Sequence, residues 1–181
     1  NDIKSVFNDK KYPILIDQEG GRVNRLYNLI ESSLFTAEFF GNLYLKNKKK
    51  FKLYYTVYIS LISYLLNEIG ININTVPVLD IKKTDSNKVI GNRSYSKVAK
   101  NVSKIGNFCI YEFAKKNIGN IIKHIPGHGL AKSDSHKKTP IIKNKAKYLY
   151  KNDFSVFKNK KVFFAMTAHV IYKDIDQKNT V

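Results

Sequence analysis

One cysteine, Cys109, stands alone in 181 residues, which excludes a disulfide framework and suits a reducing compartment. Its place within an apolar helical pattern makes it core rather than nucleophile. Arginine is also scarce: Arg22, Arg25 and Arg93 stand against 32 lysines and arginines together and a net charge of +18. Bidentate recognition of bases and phosphates favours arginine, and the lysines are scattered beside asparagines rather than gathered on one face. The charge alone therefore does not argue for a nucleic-acid partner. The one dense run, Lys46 to Lys52, reads as a solvated helix start or loop. Long hydrophobic runs are missing too. The most apolar stretch, Leu53 to Leu66, contains Tyr, Ser and Thr and falls short of the ~20 residues a membrane span needs, so no membrane partner is expected. No signal peptide is visible, and because the chain opens on Asn1 rather than Met, an upstream segment is expected.

What is present describes a soluble globular domain, with 43% hydrophobic and 13% aromatic residues. The length suggests a single domain over residues 1–181. Tyr12 to Ile16 is a compact apolar run that ends in Asp17-Gln18-Glu19-Gly20-Gly21-Arg22. Phe51 to Glu68 has helical spacing and stops before Gly70. Ile71 to Ile81 reads as a second strand with an acid, Asp80, near its end. Val98 to Lys116 is helical through Val98, Val102, Ile105, Cys109 and Phe113. Asn120-Ile121-Ile122 forms a third strand, Lys143 to Asn152 a short helix, and Val162 to His169 a fourth strand. Apolar strands that alternate with helices and end in polar residues describe consecutive βα units of a parallel α/β sheet. No Gly-x-Gly-x-x-Gly follows any strand, so a dinucleotide site is not indicated. A full (β/α)8 barrel takes roughly 250 residues, which makes this chain about half of one.

The richest stretch is Lys123-His124-Ile125-Pro126-Gly127-His128-Gly129, continuing to Asp134-Ser135-His136. It holds three of the four histidines at the carboxyl end of a strand, where α/β folds place their chemistry. Its Gly/Pro turn has the composition of a loop with flexible flanks that closes over a substrate.

Taken together, Ile16 to Val23, Pro77 to Ile81, Val89-Ile90-Gly91-Asn92-Arg93-Ser94-Tyr95, the Lys123–His136 loop and Met166-Thr167-Ala168-His169-Val170 resemble the signatures of family 3 glycoside hydrolases. The Asp134-Ser135-His136 ending is similar to the branch of bacterial β-N-acetylglucosaminidases of the NagZ type. The resemblance covers essentially the whole chain. It implies a parallel (β/α)8 TIM-type barrel, of which this chain covers roughly the middle βα units. It also implies removal of terminal non-reducing β-N-acetylglucosamine with retention of configuration, in the turnover of muropeptides in the cytoplasm. Carried over by motif, Asp17, Arg25, Arg93, Lys123 and His124 bind the sugar. Asp134 and His136 form a loop dyad, with His136 as general acid/base. No cofactor or metal is implied, and oligomeric state is left open. Asn92 stands where the family usually has Asp, a change that bears on how Arg93 is held.

These residue types suit that chemistry. A carboxylate such as Asp17 accepts from two vicinal hydroxyls at once, while Lys123 and the arginines donate to ring oxygens. An imidazole with an ordinary pKa of about 6.5 protonates a leaving oxygen and then deprotonates water, and a neighbouring acid orients it. Retention also needs a carboxylate nucleophile about 5 Å from its partner in the two-carboxylate design. Asp174 and Asp176 read as loop residues, so the nucleophile is expected beyond Val181. Glu19 reads as structural, Asp80 as a tie near the strand end, and His128 as a ring turned inward to bond the loop backbone. His169 reads equally as a site group or a satisfied buried histidine. A metal held by His124, His128 and His136 is the weaker alternative beside the Lys123 cation. Three other functions remain open: a β-N-acetylglucosaminide phosphorylase, a non-catalytic sugar-binding remnant, and a basic nucleic-acid-binding protein.

Overall fold

The computed structural model describes residues 2–83, 89–133 and 139–180. A short helix α1 (Asp2–Val6) precedes β1 (Leu15–Ile16), α2 (Ala37–Lys46), α3 (Lys48–Glu68) and β2 (Ile73–Asn74). A 3-10 turn at Gly91–Arg93 then leads to α4 (Ala99–Ala114) and β3 (Gly119–Ile125). After β4 (Ile141–Ile142) come α5 (Ala146–Lys151), a second 3-10 turn at Phe154–Phe157, β5 (Phe164–Thr167) and β6 (Ile171–Tyr172).

The main sheet has the order β1-β2-β3-β5 with every pairing parallel. Each new strand joins the edge left by its predecessor, and the order never reverses as it does in a doubly wound sheet. This is the strand succession of a (β/α)8 TIM-type barrel, with helices returning the chain between parallel neighbours. β4 leaves the succession and pairs with β6 instead.

α3 and α4 form because their apolar residues recur at helical spacing. α3 buries Phe51, Tyr55, Tyr58, Ile59, Ile62 and Leu66, and α4 buries Val102, Ile105, Cys109, Ile110 and Phe113 in the same cluster. Cys109 is thus a core residue, and burial pushes its thiol pKa up to about 11. The lysine run is a helix junction. Lys46 ends α2, and Asn47 caps α3 by accepting from the Lys50 N–H at 2.9 Å. α2 was not foreseen from sequence; Thr36 caps it, accepting from the Phe39 N–H at 3.0 Å.

β1 and β2 are far shorter than the apolar runs suggested, because asparagine side chains replace part of the backbone ladder. Asn72 Oδ1 accepts from the Ile14 N–H at 2.8 Å, and Asn74 bonds both the N–H and the C=O of Gln18. Asn120 donates to the Val76 carbonyl at 3.0 Å. The fourth strand lies at the edge of the sheet, with Phe163 98% exposed and Phe164 56%. A second apolar cluster of Ile142, Leu149, Phe154, Ala168, Val170 and Tyr172, with Leu130 packed against it, supports the loop after β3. Asp174 is a capping group there, accepting from the Ala146 N–H and from Lys145, both at 2.9 Å. Among the described residues no helix is long and apolar enough to cross a membrane.

Candidate active site

At the carboxyl ends of β1, β3 and β5 lies a cleft of about 420 Å³. Asp17, Arg25, Arg93, Lys123 and His124 all line it, together with Glu19, His128, Met166, Thr167 and His169. The five sugar-binding positions expected from sequence are therefore brought together. Asp134 and His136 lie outside the described residues.

The floor of the cleft is an ionic quartet. Lys123, 2% exposed, places its ammonium 2.7 Å from Asp17 Oδ1, 2.6 Å from Glu19 Oε1 and 2.9 Å from Thr75 Oγ1. Arg93 grips the other side of Glu19, with Nε donating to Oε2 at 2.7 Å and Nη2 to Oε1 at 2.8 Å. Two cations and two carboxylates thus balance within a desolvated floor, which buried charges require. Burial opposes ionisation of Glu19, but Arg93 and Lys123 outweigh it and hold the carboxyl below its ordinary range. Asp17 behaves alike: burial raises its pKa, while Lys123, Thr75 and Arg25 more than reverse the shift. Its side chain is 40% exposed, so Asp17 is the carboxylate of the quartet that a ligand can reach. Burial works against the Arg93 guanidinium too, but Glu19 raises its pKa. Arg93 is held through Glu19 and the Val89 carbonyl.

His124 is fixed from behind. Its Nδ1 lies 2.6 Å from Asp80 Oδ2, and Asp80 Oδ1 accepts from the His128 N–H, also at 2.6 Å. The expectation that Asp80 ties down the strand end near the site is met. The Lys123–His124 peptide is cis, and the β3–β5 ladder shifts register between Lys123 and Ile125.

The Gly/Pro segment is a tight, packed turn. Gly127, His128, Gly129 and Ala131 are buried, and the Tyr172 hydroxyl donates to the Gly127 carbonyl. A Cβ on Gly129 would meet the Ile81 carbonyl oxygen at 2.2 Å. His128 is turned inward, but among the described residues neither ring nitrogen, both buried, has a hydrogen-bond partner; its backbone N–H donates to Asp80 and its ring meets that of His124 edge-on. Burial lowers its pKa, an effect the Asp80 charge offsets in part.

Sequence reasoning missed two contributors. Thr75 looked like an ordinary strand residue, yet its hydroxyl donates to Asp17 and accepts from Lys123. Glu19 was read as structural, which its burial supports, but its bridging of both cations depends on residues far away in sequence. His169 lines the cleft, and so is a site group by position. Among the described residues no cluster of three or more metal-ligating side chains occurs.

Comparison with known proteins agrees with this geometry. The family profile for the "Glycosyl hydrolase family 3 N terminal domain" matches residues 5–180. Beta-hexosaminidase A of Pseudoalteromonas piscicida is 33% identical over 173 residues, covering 93% of this chain and 28% of that protein. The crystal structure of NagZ from Neisseria gonorrhoeae in complex with N-trifluoroacetyl-D-glucosamine superposes with a TM-score of 0.80 at 28% identity, over 92% of this chain and 50% of that one. The family 3 β-N-acetylglucosaminidase from Paenibacillus sp. str. FPU-7 also gives a TM-score of 0.80 at 28% identity, over 99% of this chain and 33% of that one. The chain thus spans half or less of the length of these relatives. With its quartet-floored cleft on the strand ends and a profile match over nearly its whole length, the chain belongs to glycosyl hydrolase family 3.

Proposed function

We propose that the protein of which this chain is part is a retaining exo-glycosidase that removes terminal non-reducing β-N-acetylglucosamine. The observation that carries this reading is the convergence of Asp17, Arg25, Arg93, Lys123 and His124 on one cleft, in a chain similar to a protein whose crystal contains an N-acylated glucosamine. Asp17 accepts from the sugar's hydroxyls, while Arg25 and His124 contact its oxygens. Lys123 and Arg93 act chiefly by holding Asp17 and Glu19 ionised and in place, so that little reorganisation accompanies binding. Asp134 and His136 serve as the acid/base pair, with His136 giving its proton to the leaving oxygen and then taking one from water. The carboxylate nucleophile that retention needs belongs to the further length that the relatives have. Muropeptides in the cytoplasm are the proposed natural substrates.

The test is turnover of an aryl N-acetyl-β-glucosaminide by the full-length protein, followed by proton NMR of the first-formed sugar. Release of β-N-acetylglucosamine at a rate independent of phosphate is expected. An α-anomer as first product, a phosphate requirement with a sugar phosphate as product, or no release at all would refute the hydrolase reading.

A further inference from the structure

The site just proposed has two working parts, His124 in the cleft and the loop that leaves β3 toward Asp134 and His136. One buried carboxylate touches both. Asp80 is 1% exposed and spends one oxygen on His124 Nδ1 and the other on the His128 N–H, each at 2.6 Å. Its own backbone is fixed, since Ser94 Oγ donates to its carbonyl at 2.6 Å and the Leu79 N–H donates to the Lys123 carbonyl at 2.7 Å. We propose that Asp80 is a positioning residue of this site, holding His124 in its Nδ1–H tautomer and seating the root of the loop with the same carboxylate.

The chemistry of the carboxylate supports both halves. Burial opposes its ionised form, but His124 and the His128 N–H outweigh burial and keep the pKa below the ordinary aspartate range. An ionised carboxylate only accepts, so both partners must donate. Nδ1 therefore carries the proton, and Nε2 is the nitrogen left for the cleft. At the loop root few other polar ties exist. Among the described residues the His128 ring makes no hydrogen bond, and the ties there are its backbone N–H on Asp80, the Tyr172 hydroxyl on the Gly127 carbonyl, and the Ala131 N–H on the His128 carbonyl at 3.0 Å. Gly129 backs onto the Ile81 carbonyl, where a Cβ would lie at 2.2 Å. Residues 127–131 cannot shift outward without giving up Asp80, and Asp80 cannot shift without releasing His124.

Asp80→Asn keeps the shape and removes one acceptor, because an amide nitrogen donates and cannot accept. It can satisfy His124 or His128 in their present states, not both. Two measurements on the full-length protein do not depend on activity. Nitrogen-15 NMR of the His124 imidazole should show the proton on Nδ1 in the wild type and on Nε2, or mixed, in Asp80→Asn. Amide exchange at His128 should quicken at least tenfold in the variant. The kinetic arm rests on the proposed function: kcat should fall and KM rise, each tenfold or more. A wild type with the expected tautomer and slow exchange but no glycosidase turnover would remove the functional reading and leave the positioning role standing. A wild-type His124 protonated on Nε2, or an Asp80→Asn protein unchanged in tautomer, exchange and kinetics, would overturn the positioning role. Should Asp80→Asn not fold, the wild-type tautomer decides alone.

Discussion

Glu19 and Lys123 meet at 2.6 Å in the floor of the cleft, both nearly out of solvent, with side-chain exposures of 6% and 2%. Arg93 closes on Glu19 from the other side, so this one carboxylate bridges both cations of the quartet, with Asp17 as the second partner of Lys123. Removing one partner of such a buried arrangement leaves uncompensated charge and costs about 3–5 kcal/mol. Glu19→Gln should therefore lose stability on that scale in urea denaturation at neutral pH. The pH dependence has a definite sign. Glu19 has its pKa lowered from 4.5 on folding, so its contribution is complete above about pH 4.5 and fades as pH falls toward the lower folded value. The wild-type unfolding midpoint should drop through that window more steeply than the variant's. Asp17, shifted in the same direction, keeps some slope in both. Equal slopes would mean that folding leaves the Glu19 pKa unchanged and that the two cations do not stabilise its ionised form.

Thr75 supports Asp17 through a single hydroxyl that donates to the carboxylate and accepts from Lys123 at 2.9 Å. Thr75→Val preserves shape and deletes that link, leaving Asp17 held by the Lys123 ammonium without its second tie. The expected result in the full-length enzyme is a KM raised about tenfold, equivalent to about 1.4 kcal/mol, with a smaller change in kcat. Steady-state kinetics on an aryl N-acetyl-β-glucosaminide measure both. An unchanged KM would show that Asp17 needs no support from Thr75.

The sequence disclosed the succession of βα units and the motifs that meet in the cleft. Asp17, Arg93 and Lys123 were legible because their motifs resemble those of a known family and stand in a recognisable order. The strand ends were legible because apolar runs stop there at polar residues. What could not be read were relationships created by pairing. Asn72, Asn74 and Asn120 resembled a compositional bias until the fold placed them between strands as substitutes for the backbone ladder. β4 and β6 have two residues each, too short for any periodicity to announce them. The Gly/Pro turn was legible as a turn, but composition could not show which segments its glycines pack against, namely Ile81 and Asp153.

Gly41 lies where α2 presses on the segment after Arg93, and a Cβ there would sit 1.7 Å from the Tyr95 carbonyl oxygen. Neither backbone can yield locally, so α2 must move away. Gly41→Ala should destabilise the protein by about 1–3 kcal/mol as an overpacked contact, despite the better helix propensity of alanine. Thermal denaturation gives the stability. A gain in Tm would show that the two segments are not in contact.

His136, the proposed acid/base, should separate chemistry from binding. His136→Ala in the full-length enzyme should lower kcat by about 100- to 10,000-fold, the usual worth of a general acid/base, with KM nearly unchanged. Substrates with activated phenolate leaving groups need less protonation and should suffer least in the first step. A parallel loss in kcat and in N-acetylglucosamine affinity would reassign His136 to binding or structure.

His128 lines the cleft, yet its ring nitrogens are buried and without a hydrogen-bond partner among the described residues. Burial lowers its pKa, and the Asp80 charge recovers only part of the shift. An unfolded chain takes up this proton near an ordinary histidine pKa of about 6.5, before the folded chain does, so folding loses stability as pH falls below that value. His128→Leu removes the proton uptake and keeps the backbone N–H that Asp80 accepts from. The variant should be at least as stable as wild type near pH 7 and should lose less stability between about pH 7 and pH 5. Urea midpoints across that range decide it. A variant that is less stable at pH 7 and equally acid-sensitive would show that the ring has a partner, and that the buried imidazole is serving the fold.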